Sequence, residues 1–202
     1  MDASPPGTII PELSGVREKP RYPDLTAQFR TDQNWGHLQL AGVARWITFD
    51  NSIGIDGRPF GTVFGWGVNL SGHLKTFGED ALRGQVAYGH GIAAYSNDCC
   101  FDVAPDPIRA KALPLLNWLV YYDHWWSPQW SSSIGFSQNI QNNFVTQFDT
   151  EQHQGSYASV NLIYYPMQNV KFGVEGLWGE RVNKDGSKAS DQRIQFSTQV
   201  KF

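Results

Sequence analysis

Apolar and polar side chains alternate along most of this chain. The last residues show it most clearly. Ile194, Phe196, Thr198, Val200 and Phe202 share one parity, and Arg193, Gln195, Ser197, Gln199 and Lys201 share the other. Successive side chains on a strand point to opposite faces, so such a segment has one apolar face and one polar or cationic face. Eight earlier runs read as strands in the same way: Leu25–Thr31, His37–Phe49, Phe60–Lys75, Leu82–Tyr95, Leu113–Asp123, Trp130–Ile140, Tyr157–Tyr165 and Val170–Val182. In Phe60–Lys75, for example, Phe64, Trp66, Val68, Leu70 and Leu74 oppose Gly65, Gly67, Asn69, Ser71, His73 and Lys75. Leu113–Asp123 is apolar on both parities, which leaves its register open between a strand and a short buried helix.

The connections alternate in length. Residues 32–36, 76–81, 124–129 and 166–169 read as tight turns, and 50–59, 96–112, 141–156 and 183–190 as longer loops. Membrane β-barrels have short turns on the periplasmic side and longer loops outside, and a C-terminal strand that ends in the periplasm puts all four short turns there. Trp35, Trp125, Trp126, Trp130, Tyr164, Tyr165 and Phe202 gather at that same end, where an interfacial aromatic girdle belongs. A soluble β-sandwich binding module, with the tryptophans as its core, is the alternative.

Composition agrees with a barrel. Charged residues make up 17% and aromatic residues 14%, with 20 Gly and 8 Trp. Mean hydropathy is −0.40, and no run approaches the roughly 18 apolar residues of a membrane helix. Residues 1–23 hold five of the 11 prolines and read as a loop or disordered arm, which leaves residues 24–202 for the barrel. The net charge of −3 gives no signal for nucleic acid. Cys99 and Cys100 are adjacent and fit no zinc spacing. They are either a strained pair or a free loop pair, and neither a metal nor a cofactor is expected. No secretory signal is visible, so a signal has been removed or the chain lacks its natural start.

Several stretches resemble the C-terminal half of DcaP-like porins. These are Pro23-Asp-Leu-Thr-Ala with Trp35-Gly-His-Leu-Gln-Leu-Ala-Gly-Val, Gly65-Trp-Gly-Val-Asn-Leu-Ser-Gly, Tyr88-Gly-His-Gly-Ile-Ala-Ala-Tyr95, Tyr157-Ala-Ser-Val-Asn-Leu-Ile-Tyr-Tyr, and Phe172-Gly-Val-Glu with the segment that follows it. The resemblance implies a trimeric, 16-stranded outer-membrane porin of a Gram-negative cell. It also implies passage of small anionic solutes, with dicarboxylates as the class. Single-chain bacterial barrels have even strand numbers, so nine strands read as the last nine of sixteen, from a truncated porin or a split gene. A closed eight-stranded barrel with a structural or adhesive role, residues 25–31 lying outside it, is the other possibility. Expected partners are membrane lipid, small anions, two further copies of the complete chain and the barrel-assembly machinery through Phe202.

In a porin, function resides in the inward side chains. Parity assigns Arg30, Arg45, Lys75, Arg83, Lys171, Arg181, Arg193 and Lys201 to the lumen, with Glu175 as the clear inward acid, expected to pair with Lys171 or a nearby arginine. Many other acids fall in long loops: Asp50, Asp56, Asp98, Asp102, Asp106, Asp149, Glu151 and Asp185. A wall of one sign concentrates counter-ions, and Arg or Lys rings select anions. Arg83, Arg193 and Arg45 are the first choices for guiding carboxylates, because guanidinium matches a carboxylate in a bidentate way. Phe64, Trp66, Leu115, Leu119 and Tyr121 are assigned to lipid or to another subunit. Loop 96–112 is expected to be solvated, and the glycines of Gly65–Gly72 are expected to leave room for neighbouring wall residues. No GxSxG occurs, and His37, His73, His90, His124 and His153 are scattered. A catalytic constellation is therefore not expected.

Overall fold

The computed structural model describes residues 16–18, 21–51, 61–96, 99–105, 110–145 and 147–201. Its strands are β1 (Val16–Glu18), β2 (Leu25–Gln33), β3 (Gly36–Asn51), β4 (Gly61–Lys75), β5 (Ala81–His90), β6 (Val103–Pro105), β7 (Ala110–Ala112), β8 (Pro114–Ser127), β9 (Trp130–Gln141), β10 (Gln152–Met167), β11 (Val170–Asn183) and β12 (Lys188–Val200). The nine long strands are those the alternation picks out. They form one antiparallel meander in the order β3-β4-β5-β8-β9-β10-β11-β12, with β2 and β1 sharing the free edge of β3. The ends do not pair, so the sheet is a wall and not a closed ring. Among the described residues the only other sheet is the two-stranded ribbon of β6 and β7, so no second sheet is present to complete a sandwich.

Short turns lie along one rim and longer connections along the other, as the alternation implies. The segment after β11 is an exception. Residues 184–187 close a tight hairpin, in which Gly186 N–H donates to Asn183 O at 2.9 Å. The turn needs a left-handed residue, and Gly186 supplies it at φ 83°. Three further boundaries differ from the reading of the sequence. Val16–Glu18 pairs with Phe49–Asn51 of β3, although it lies in the proline-rich arm. Asp50 belongs to β3. β10 starts at Gln152, five residues before the expected Tyr157.

The largest difference is residues 91–113. β5 ends at His90, a single 3-10 turn follows at Ala93–Tyr95, and the β6–β7 ribbon continues it. The described residues of this segment, 91–96, 99–105 and 110–113, are not a solvated loop. They lie against one face of the sheet and enclose the main buried clusters among the described residues. Ile47, Val103, Ala104 and Leu113 form one, with Phe144 of the 142–151 connection leaning on it. Ile92, Ala93, Cys99, Cys100 and Leu115 form the other, and Cys99 and Cys100 are joined in a disulfide. Burying one Leu, Val or Ile side chain contributes about 1.5–3 kcal/mol, so the cover is held by a real core. It also explains why Leu113–Asp123 is apolar on both parities. That segment is a strand, β8, with one face toward the outside and its upper inner face beneath the cover.

Glycines make the docking site. A Cβ at Gly67 would meet Ile92 Cγ2 at 2.8 Å, and one at Gly91 would meet Ile47 Cδ1 at 2.8 Å. At Gly67 the room expected for neighbouring wall residues is taken instead by Ile92 of the covering segment.

Candidate functional site: the covered face of the sheet

Partners across a ladder share a face, so register sorts the side chains. One row runs His37–His73–Arg83–Tyr121–Gly135–Ser159–Leu177–Arg193, and the next runs Lys75–Ala81–Asp123–Ser133–Asn161–Glu175–Gln195. These rows lie on the side that carries Ile92 and Asp102. The opposite face is bare and apolar. Leu38, Leu40, Phe64, Trp66, Val68, Leu70, Val86, Val120, Ile134, Val160, Leu162, Phe172, Ile194 and Phe196 all stand exposed on it.

All nine charged residues assigned by parity fall on the covered face: Arg30, Arg45, Lys75, Arg83, Lys171, Glu175, Arg181, Arg193 and Lys201. Their chemistry differs from the expected row of free cations. Arg45 is buried and committed. Its Nε donates to Asp24 Oδ2 at 2.8 Å, and its Nη1 donates to Gly91 O at 2.6 Å and sits 2.9 Å from Asp102 Oδ2. Tyr95 Oη also donates to Asp24 Oδ2 at 2.8 Å, and its ring faces the Arg45 guanidinium at 5.3 Å. Arg83 pairs with Asp123 at 2.7 Å and lies over the Tyr121 ring. Arg30 pairs with Asp32 at 2.7 Å. Arg181 donates to Asn183 and to the Thr150 carbonyl, Arg193 donates to Gln195, and Glu175 accepts from Gln195 and not from Lys171 or an arginine. Among the described residues Lys75, Lys171 and Lys201 make no ion pair.

The acid count also rises. Asp24, Asp32, Asp102, Asp123 and Asp191 join Glu175 on the covered face. Leu115, Leu119 and Tyr121 move from the bare face to the covered one, because β8 takes the register Asn117↔Asn139 and Tyr121↔Gly135. Asp98 and Asp106 lie outside the described residues. Asp102 is fully buried and serves as the partner of Arg45, and no group of three or more metal-ligating side chains occurs among the described residues.

Asp102 is a poised group. Burial pushes its carboxyl up to about 6, and the neighbouring Arg45 charge opposes the rise. Ala94 N–H donates to its Oδ1 at 3.2 Å, while Oδ2 has a charge contact without an aligned hydrogen bond. A carboxyl whose docked pKa lies above its ordinary value of 3.8 favours the docked state when protonated. Docking of the segment is therefore strongest below about pH 4 and weakens as pH rises through 6, by about 3 kcal/mol in the limit. Protection factors of residues 99–105, which correct for the intrinsic pH dependence of amide exchange, are expected to be larger at pH 5 than at pH 7.5, and the difference is expected to vanish in Asp102→Asn.

The short-turn rim carries the aromatic residues. Trp130 stacks on Tyr164 at 4.6 Å and Trp125 on Tyr165 at 5.3 Å. Asp80 ties this rim together, accepting from Tyr122 Oη, from His124 Nδ1 and from Trp125 N–H. These bonds hold its carboxyl down at about 2. His124 thus has a bracing role, and His37 stacks on His73 at 5.7 Å. Phe202 lies outside the described residues.

The sheet superposes on the crystal structure of the outer membrane channel DcaP of Acinetobacter baumannii with a TM-score of 0.84 over 94% of this chain, at 18% identity. The fold is that of an outer-membrane channel wall. The resemblance to DcaP-like porins read from the sequence holds at this level. The chain spans about half of that channel, 54% of its length. No family model matches the sequence, and no curated protein does either.

The residues the sequence reading missed are those that neutralise or cover. Asp123 was hidden by the open register of its strand. Asp24, Tyr95 and Asp102 had no local signal. One clue was legible. Leu113 and Leu115 are apolar on a parity that elsewhere faces water, which required something to cover them.

Proposed function

We propose that this chain forms part of the wall of an outer-membrane channel that passes small hydrophilic solutes by diffusion, with a mild preference for anions such as dicarboxylates. The observation that carries it is the division of one sheet into a bare apolar face and a polar face roofed by a chain segment. The dimensions fit. Phe64 to Leu74 on β4 is roughly 33 Å of strand at about 3.3 Å per residue, and a tilt of about 40° brings it to roughly 25 Å, the height of the lipid-facing band. Fifty-four per cent of the known channel's length agrees with nine strands of a sixteen-stranded wall. Assembly as a homotrimer and delivery by barrel-assembly machinery through Phe202 belong to the same reading.

Anion preference is assigned to β11 and β12. Arg45, Arg83 and Arg30 each have an acid at ion-pair distance, so their fields cancel close by. Among the described residues Lys171, Arg181 and Arg193 have none, and they face the same side. In planar bilayers under a KCl gradient, the complete channel is expected to show a reversal potential of the anion-preferring sign. Arg181→Glu with Arg193→Glu is expected to lower the chloride-to-potassium permeability ratio severalfold, whereas Arg83→Gln with Asp123→Asn, which removes both members of a neutral pair, changes it little. An unchanged ratio in the Arg181→Glu, Arg193→Glu variant refutes the assignment.

A further inference from the structure

Beneath the covering segment, the same face encloses a cavity of about 910 Å³. Its wall differs from the rest of the face. The ladder rows through Asn69 and Asn117, and through Gln85, hold no charged side chain between β4 and β9. The wall instead combines amides and hydroxyls, among them Asn69, Gln85, Asn117 and Ser96, with small aliphatic side chains and the aromatic residues Tyr95 and Trp118.

Two of those amides are uncommitted. Asn69 Oδ1 is buried without a hydrogen-bond partner, and Gln85 makes no side-chain hydrogen bond to a described residue. Ser71 pairs with Gln85 and Asn69 with Ala87, so Asn69 and Gln85 are diagonal neighbours on one face, roughly 7 Å apart. Each amide offers an acceptor and two donors. Other polar groups are held ready beside them. Asn117 donates to Ser96 Oγ at 2.7 Å, which fixes both, and Gln28 accepts from Gln39 at 2.8 Å. Tyr95 adds a ring that is 54% exposed, with its hydroxyl tied to Asp24.

We infer that this recess is a binding subsite for a neutral polyhydroxylated solute, a mono- or disaccharide or a similar polyol. Paired donor and acceptor groups on adjacent amides match the paired hydroxyls of such a molecule, and an exposed ring offers a flat apolar surface to its C–H face. A charged solute finds no counter-charge here. An apolar one leaves the Asn69 carbonyl unpaired, which is costly in a buried site. The cavity lies within the size range of small-molecule sites, roughly 300–1,000 Å³. The inference rests on the channel reading only in taking this face to be water-filled, and it assigns the subsite to a different class of solute from the cationic β11–β12 row.

The test is saturation-transfer NMR on the detergent-solubilised protein, with maltose as one probe and succinate as the other. Transfer to maltose ring protons is expected. Asn69→Leu with Gln85→Leu is expected to weaken maltose about tenfold, as loss of its hydrogen bonds predicts, while Arg193→Glu leaves it unchanged. Gln85→Leu alone serves if the double variant does not fold, with a smaller loss in the same direction. Absence of transfer to maltose overturns the inference. So does equal maltose binding in the wild type and the leucine variants. Loss of the channel reading would show separately, as absence of conductance in bilayers.

Discussion

Replacing Arg45 by methionine is expected to release residues 91–113 from the sheet at neutral pH. Arg45 is the one described cation in contact with Asp102, which is fully buried. Removing one partner of a buried pair leaves an uncompensated charge and typically costs about 3–5 kcal/mol. The segment has an alternative that the strands lack: it can swing off the sheet and take Asp102 into water. The loss should therefore appear as local opening and not as global unfolding. Hydrogen exchange of Val103, Ala104 and Leu113 is expected to rise by two or more orders of magnitude at pH 7.5, while β9–β11 stay protected. Conductance is expected to increase, because the same segment covers the water-facing side. The partner change gives the control. Arg45→Met combined with Asp102→Leu removes both charges and should restore most of the protection, since a buried ion pair exchanged for apolar groups is often neutral. If Arg45→Met leaves exchange of 99–113 unchanged, the three-way contact of Asp24, Arg45 and Asp102 does not hold the cover.

Gly89→Ala is expected to prevent correct pairing of β4 with β5. An alanine Cβ at Gly89 would lie 2.2 Å from the Trp66 carbonyl oxygen and 2.6 Å from Gly67 Cα. Both are backbone atoms fixed in the ladder, Gly67 opposite Gly89 itself, so no side chain can rotate away. Relief requires the strands to part where the covering segment leaves β5. Overpacking of a tight site costs about 1–3 kcal/mol when neighbours can yield, and a backbone obstruction places this change at or above the upper end of that range. Gly84 in the same strand is the comparison, because a Cβ there meets its nearest atom, Leu119 O, at 3.8 Å. Gly84→Ala is expected to fold normally. The measurement is the fraction of the complete channel that runs as a compact, heat-shifted band in detergent gels. Equal fractions for the two variants would contradict the close approach of β4 and β5.

Much of the architecture was legible in the order of residues. Alternation is a local property. A strand's two faces follow from parity alone, and one apolar face against one polar face was visible in β4, β9, β11 and β12 without knowledge of any neighbour. The tight turn at 76–81 and the rim of Trp125, Trp130 and Tyr164 follow from equally local chemistry. Parity also grouped the charged candidates of the strands on one face, as the ladder register does. The boundary at 183–190 failed because Lys188-Ala189-Ser190 holds no apolar residue larger than alanine to mark a face, and only pairing with Glu180–Val182 makes it strand.

What parity does not contain is which charges meet. Whether Arg83 attracts a passing anion or is neutralised by Asp123 depends on the register of β5 against β8, and both faces of β8 read alike. Whether residues 96–112 float or dock depends on Asp102 reaching Arg45, far away along the chain, and on the glycines that leave space at Gly67 and Gly91. The sequence by itself determined the strands, their faces and the rims, because those are set by each residue and its immediate neighbours. Only the tertiary structure decided the cover, the neutralised arginines and the uncharged recess, because each depends on contacts between segments that carry no mark of one another.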